Sequence, residues 1–245
     1  MRAQSFLAAV LVMAIMNVVS EAKIYSVYFD DGQTHSLNDN TYQGIGVWLD
    51  KNTFNDPGTH LELLDGAKTG YILPFNKSTI TINGGSVDGG NVSIDTHGDN
   101  IITVNGGTLK GDIAANNNSR IYANGGTFYD DIYAYDNGIA EVRGGLISGI
   151  YGVFGSGKIY LYGSNFSING QDLNYGDSLR DYVSLSPTYP EYYIGTITGT
   201  LQNGSAVNND FWIWASTDAD IIVVPEPCTL LLLGIGAAIV RKRHR

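Results

Sequence analysis

The chain has 245 residues, a formal net charge of −10 and only 16% charged side chains. Its acidity repels phosphate backbones and excludes nucleic acid as a natural partner, and a single cysteine, Cys228, excludes an intrachain disulfide framework. Stability must come from packing and hydrogen bonding, and 31 glycines and 16 tyrosines among many asparagines point to a β-rich chain with many tight turns.

At the N-terminus, Arg2 precedes an apolar stretch from Phe6 to Val19, and Ser20-Glu21-Ala22 puts small residues at the two positions a signal peptidase reads. This predicts a secretory signal peptide over residues 1–22, cleaved between Ala22 and Lys23. The span from Lys23 to Val224 then carries nine lysines and arginines against 22 aspartates and glutamates, a net charge of −13. Residues 23–60 read as an N-terminal β cap, with strands at Ile24–Phe29 and Ile45–Leu49 and a turn at Asp30-Asp31-Gly32. A cap is expected because a naked coil would expose unpaired edge strands. Asn38 to Asn40 and Asn52 to Gly58 read as loops.

Residues 61–178 repeat. Ile80-Thr81-Ile82-Asn83-Gly84-Gly85 returns as Ile102-Thr103-Val104-Asn105-Gly106-Gly107 and as Ile121-Tyr122-Ala123-Asn124-Gly125-Gly126, then more loosely from Ala140 and Ile159. Counting Leu61 as the first start, the steps are 19, 22, 19, 19 and 19 residues. A constant period near 20 with apolar residues in register is the mark of a solenoid. Within a unit, apolar residues alternate at Ile102/Val104 and Ile121/Ala123, recur singly at Val87, Leu109, Phe128 and Ile147, and alternate again at Ile113/Ala115, Ile132/Ala134 and Tyr151/Val153. Alternation turns one face of each short strand inwards. Three strands and three bends make one coil, so the predicted fold is an all-β parallel solenoid of the right-handed β-helix type. Six coils stacked about 4.8 Å apart give a rod of roughly 30 Å. Gly-Gly pairs permit positive φ at a bend. Asn83, Asn105 and Asn124 should stack there, either left-handed or bonding the neighbour above through the amide.

Residues 179–224 read as a C-terminal β cap: Tyr192 to Leu201, the turn Gln202-Asn203-Gly204-Ser205, Phe211 to Ala215, and Ile221 to Val224. Residues 225–245 have three parts. Pro225-Glu226-Pro227 is a rigid, extended entry. An apolar run from Thr229 to Val240 follows, shorter than the roughly 20 residues a spanning helix needs. The end, Arg241 to Arg245, is basic and resists translocation. This order resembles the PEP-CTERM sorting signal of exported bacterial proteins, with Cys228 standing where Ser or Ala is more usual. The resemblance implies processing by an exosortase after transient membrane insertion, in a Gram-negative bacterium that makes exopolysaccharide, with the protein at the outer surface or in the extracellular matrix. The preceding strands resemble the β-hairpin region that often separates such repeats from such a tail.

No catalytic, cofactor or metal-ligating set is read from the sequence. An acidic β-helix invites comparison with pectate lyases and polygalacturonases, which need clustered carboxylates with a basic residue or calcium on one face. The candidates are Asp130-Asp131 with Asp112 one coil below, and Asp95 and Asp99 beside His97, where the period is taken to stretch to 22; all read as solvated turn carboxylates. His35, His60, His97 and His244 lack ligand spacing. Tyr122, Tyr133, Tyr135 and Tyr160 fall at outward positions, with Phe154 near the register of Tyr135, and could contact a glycan or a partner, although Tyr also serves simply as a good strand residue. The expected function is a non-enzymatic structural or adhesive protein, exported through signal peptidase and exosortase and associated with exopolysaccharide. The alternatives are a polysaccharide lyase or hydrolase of the β-helix type and a glycan-binding module.

Overall fold

The computed structural model describes residues 27–39, 41–48 and 58–225. The signal peptide, its Ala22/Lys23 cleavage point, Ile24 to Ser26, most of the Asn52–Gly58 loop, and Glu226, Pro227 and the tail beyond lie outside the described residues.

The chain winds into a parallel β-solenoid with three ladders. The first holds Thr34–Leu37, His60–Leu63, Thr79–Ile82, Ile101–Val104, Arg120–Ala123, Ile139–Val142, Lys158–Ile168 and Asp220–Pro225. The second holds Thr41–Tyr42, Lys68–Thr69, Ser86–Val87, Thr108–Leu109, Thr127–Phe128 and Leu146–Ile147. The third holds Val27–Phe29, Ile45–Val47, Ile72–Pro74, Val92–Asp95, Asp112–Ala115, Ile132–Ala134, Tyr151–Val153 and Ala206–Trp214. One 3-10 turn, Leu179–Tyr182, follows the repeats.

The register follows the repeat. Leu61, Ile80, Ile102, Ile121, Ala140 and Ile159 are successive partners. Val87, Leu109, Phe128 and Ile147 stack in the second ladder, and Ile113, Ile132 and Tyr151 in the third. Both ends add rungs. His35 pairs beneath Leu61 and Ile221 above Ile159. Val27–Phe29 pairs in parallel with Ile45–Val47, and that strand with Ile72–Pro74, so both continue the third ladder. The 22-residue step is placed differently from expectation. Its three extra residues lie between Val87 and Ile94, where the register shifts by a bulge, and the bend near His97 has ordinary length. Buried Ser93 closes the enlarged bend by donating to Val87 O and accepting the Gly111 N–H at 2.8 Å.

Inward residues of all three ladders form one continuous apolar core. Burial of that area, at about 25 cal/mol per Å², is the main favourable term for a chain without a disulfide. In each Gly-Gly pair the second glycine has positive φ; at Gly107 it is 79°, and an added Cβ would also lie 2.7 Å from Gly84 O. That position therefore needs glycine for both conformation and space. The asparagines take the amide option: Asn105 Nδ2 donates to Asn83 Oδ1 at 2.8 Å and Asn124 Nδ2 to Asn105 Oδ1 at 3.0 Å. Below them Asn83 Nδ2 donates to Glu62.

A second polar column is buried. Ser78, Asn100 and Ser119 occupy one position at the bend entering the first ladder, all fully buried. Ser78 Oγ donates to Asn100 Oδ1 at 3.0 Å, Asn100 Nδ2 to Pro74 O at 3.2 Å, and Asn100 N–H to Ser119 Oγ at 3.3 Å. These bonds tie rungs together where apolar side chains do not reach.

Among the described residues, the core holds an unsatisfied hydroxyl. Tyr151 is fully buried between Ile132 and Phe211, and its hydroxyl has no hydrogen-bond partner. Burial raises its pKa well above the usual phenol value. An unpaired buried hydroxyl costs about 1 kcal/mol or more. Tyr151→Phe is therefore expected to raise the melting temperature, by roughly 2–4 °C for a domain of this size, as a calorimetric scan would show.

The last rungs are closed by inserted chain. Tyr192–Leu201 and Ala206–Trp214 form an antiparallel hairpin, whose second strand lies parallel on Tyr151–Val153. Asp220–Pro225 then resumes the first ladder on Lys158–Ile168, with Pro225 opposite Gly163. The loop at Gly176 and Asp177 bonds the far edge of that strand, from Gly176 N–H to Val223 O and from Val223 N–H to Asp177 O.

Candidate functional site

The outward face of the third ladder carries three columns. The position before Ile113, Ile132, Tyr151 and Phe211 contributes the first: Asp112 and Asp131 in successive coils, then Ile150 and Asp210. Strand centres contribute the second: Asp95, Ala114, Tyr133, Gly152 and Trp212. Positions at or just beyond the strand ends contribute the third: Trp48, Phe75, His97, Asn116, Tyr135, Phe154 and Trp214.

Ring geometry divides the third column. Trp48 and Phe75 stack at 4.1 Å and 18°, Phe75 and His97 at 5.1 Å and 15°, and Tyr135 and Phe154 at 4.7 Å and 11°. Such pairs use their faces on each other. Near the hairpin the rings tilt instead. Tyr133 meets Tyr135 at 43° and Phe154 at 53°. Tyr192 meets Trp212 at 59° and Trp214 at 54°, and Tyr189 meets Trp212 at 35°. Tilted rings keep part of their faces open. Tyr133 also fills the space over Gly152, where an added Cβ would come within 2.4 Å of the ring. Tyr189 is 47% exposed, and the others are half-buried.

The four tyrosines singled out from sequence do not form one stripe. Tyr133 and Tyr135 lie on the third ladder, whereas Tyr122 and Tyr160 lie on the first, separated by Glu141. There the Arg143 guanidinium sits over Tyr122 and Tyr162, 5.6 and 4.8 Å from their centroids, and also pairs with Glu141. Phe154 is indeed in register with Tyr135. Trp48, Phe75, Tyr192, Trp212 and Trp214 were not picked out from sequence. Alternation in their short strands would have exposed some of them, but the hairpin tryptophans lie outside the repeat.

Asp112, Asp130 and Asp131 come together, with ligand oxygens all within 4.8 Å of one another. Several of these oxygens are already engaged. Asp112 Oδ1 accepts the Asp131 N–H at 3.1 Å, Asp131 Oδ1 accepts the Ile150 N–H at 2.7 Å, and Asp131 Oδ2 accepts the Tyr133 hydroxyl. Asp112 and Asp131 thus each close the bend of the coil above. Burial, reinforced by the charges of Asp130 and Asp131, pushes the Asp112 pKa up to about 6, although the Asp131 N–H bond opposes this. Burial and the charges of Asp112, Asp95 and Asp131 push Tyr135 up to about 12.

The Asp112 shift predicts a pH dependence. The folded state holds this proton more tightly than the unfolded chain, so the group favours folding below about pH 4 and loses that contribution as pH rises through about 6. Asp112→Asn keeps the acceptor for Asp131 N–H and removes the charge. It is expected to stabilise the protein by about 1 kcal/mol at neutral pH, after allowing for solvent screening, and to be neutral at pH 4. Denaturant melts at both pH values provide the check.

The histidines serve separate local contacts. His35 Nε2 lies 2.9 Å from Asp31 and its ring stacks on Phe29, His60 Nδ1 lies 2.6 Å from Thr79 Oγ1, and His97 Nε2 lies 3.5 Å from Asp95. Asp95 also accepts from Asn116, and Asp99 from Asn118. No lysine or arginine lies on any described strand of the third ladder. The face therefore combines open aromatic surface with carboxylates, an arrangement suited to binding. No family model, curated protein or solved structure matches the chain.

Proposed function

We propose that this is an exported, non-enzymatic structural or adhesive protein, held at the outer surface or in the extracellular matrix through contact with exopolysaccharide. In this proposal residues 1–22 direct export, and residues 225–245 are a PEP-CTERM-like signal handled by an exosortase. Support comes from the third-ladder face. A stiff rod presents tilted rings, among them Tyr133, Tyr192, Trp212 and Trp214, and flat apolar ring faces suit the C–H faces of sugars. Of the neighbouring carboxylates, those of Asp112 and Asp131 are engaged in closing bends.

The test is retention of the purified full chain on exopolysaccharide from the producing strain. Tyr133→Ser with Trp212→Ser is expected to abolish retention while leaving the circular dichroism spectrum unchanged. Unchanged retention would remove the proposal. Cleavage of acidic polysaccharides by the wild type, lost in Asp131→Asn, would replace it with a lyase or hydrolase.

A further inference from the structure

Building on that proposed glycan contact, we infer that the polymer gripped by the third-ladder face is cationic: an amino-sugar polysaccharide with part of its amines free. Open aromatic surface alone would suit any sugar chain. The charge around it is selective. Asp112, Asp130 and Asp131 converge beside Tyr133, and Asp131 bonds the Tyr133 hydroxyl. Two rungs above Asp131, Asp210 lies on the same strand as Trp212 and Trp214. Glu191 adjoins Tyr192 and makes its phenol harder to ionise, secondary to burial.

Among the described residues, lysines and arginines are directed elsewhere. Lys68 lies on the second ladder, Arg120 and Lys158 lie on the first, Lys77, Lys110 and Arg143 lie in bends, and Arg180 lies in the 3-10 turn. Several of these are occupied: Lys110 pairs with Asp88, Arg143 with Glu141, and Arg180 donates to Thr217, Ala219 and Ala215 carbonyls. A uronate or sulfated chain would meet carboxylates without a compensating lysine or arginine on the described strands of this face, within a span of net charge −13. A neutral chain would gain only ring contacts. A chain with ammonium groups gains both, because a cation is favoured by carboxylates and by aromatic faces. The rings lie at rungs about 4.8 Å apart along the rod, so the polymer would lie along the rod axis.

The test compares retention of the full chain on three probes: partly deacetylated chitosan, the same polymer fully N-acetylated, and polygalacturonate. Chitosan is expected to bind about tenfold more tightly than its acetylated form, with the preference fading at high ionic strength. Asp112→Asn with Asp130→Asn should erase the preference. Trp212→Ser, which leaves the charge untouched, should weaken binding to both amino-sugar polymers. Asp65→Asn with Asp172→Asn, a charge-matched control away from this face, should change neither. Equal retention of both amino-sugar polymers, still sensitive to Trp212→Ser, would overturn the cationic inference and leave the glycan contact standing. Preference for polygalacturonate would also overturn it. Chitosan binding indifferent to Trp212→Ser, or weakened equally by the control pair, would reduce the effect to general charge attraction and overturn it too. Retention on none of the probes or on the strain's own exopolysaccharide would remove the contact itself.

Discussion

Asn209→Ala is expected to produce the largest loss of stability among conservative changes outside the apolar core, about 2–3 kcal/mol. The strand Leu146–Ile147 is the last of the second ladder among the described residues. In lower coils the equivalent carbonyls are met by the next turn; Phe128 O, for example, accepts the Ser148 N–H at 2.9 Å. Above Ile147 no such turn follows. The hairpin instead sends down one side chain, and Asn209 Nδ2 donates to Ile147 O at 2.9 Å and Gly149 O at 2.8 Å. Asn209 is 5% exposed, so water cannot readily replace it. Alanine would orphan two carbonyls at once and loosen the hairpin from the edge it covers. Thermal melts should show a fall of roughly 5–10 °C, and light scattering should report association through the uncovered edge. Asn209→Asp should be at least as severe, because a carboxylate has no hydrogens to donate. A melting point within a degree or so of wild type would show that the hairpin closes the rod by apolar contact alone.

Asn100→Ala should come next, at about 2–3 kcal/mol, with a distinctive shape. The Asn100 side chain bonds one rung below through Ser78 and Pro74, and its backbone N–H, which alanine keeps, bonds one above through Ser119. The side chain's loss leaves Pro74 O without this donor and opens a small cavity in the middle of the stack. In a repeat protein each turn is stabilised mainly by its neighbours, so a weak middle rung uncouples the halves. Urea unfolding should broaden, with a lower apparent m-value than wild type. Asn100→Ser matches the serines above and below, and should recover part of the loss. A simple parallel shift of the curve with unchanged m would argue against uncoupling.

The stacking order was legible because one rung constrains the next. When Ile80, Ile102 and Ile121 recur with their Asn-Gly-Gly bend, only one register keeps every apolar side chain inside. The bends were legible only in part. Ser78, Asn100 and Ser119 look like ordinary turn residues, and nothing local marks them as buried. The extra residues of the 22-residue step were misplaced towards His97 because Val92, the one apolar residue between Val87 and Ile94, is only half-buried and does not anchor the count. Outwardness of the tyrosines could be read from alternation, but their grouping could not. All ladders alternate in the same way, so Tyr122 and Tyr133 look alike until bends assign them to different sides. Trp212 and Trp214 were beyond reach for another reason. They return to the face on an insertion that separates Ile159 from Ile221, and no period links them to Tyr133.

The hydrogen bonds between rungs run along the rod, and the described chain enters at its first rung, Val27–Phe29, and leaves at its last, Asp220–Pro225. Tension applied through those two points is therefore longitudinal and must pass through every turn in series, shared at most turns among three sides. The load limit is then set by the feeblest turn rather than by the total number of turns. A longer version of such a rod would reach further without becoming harder to tear.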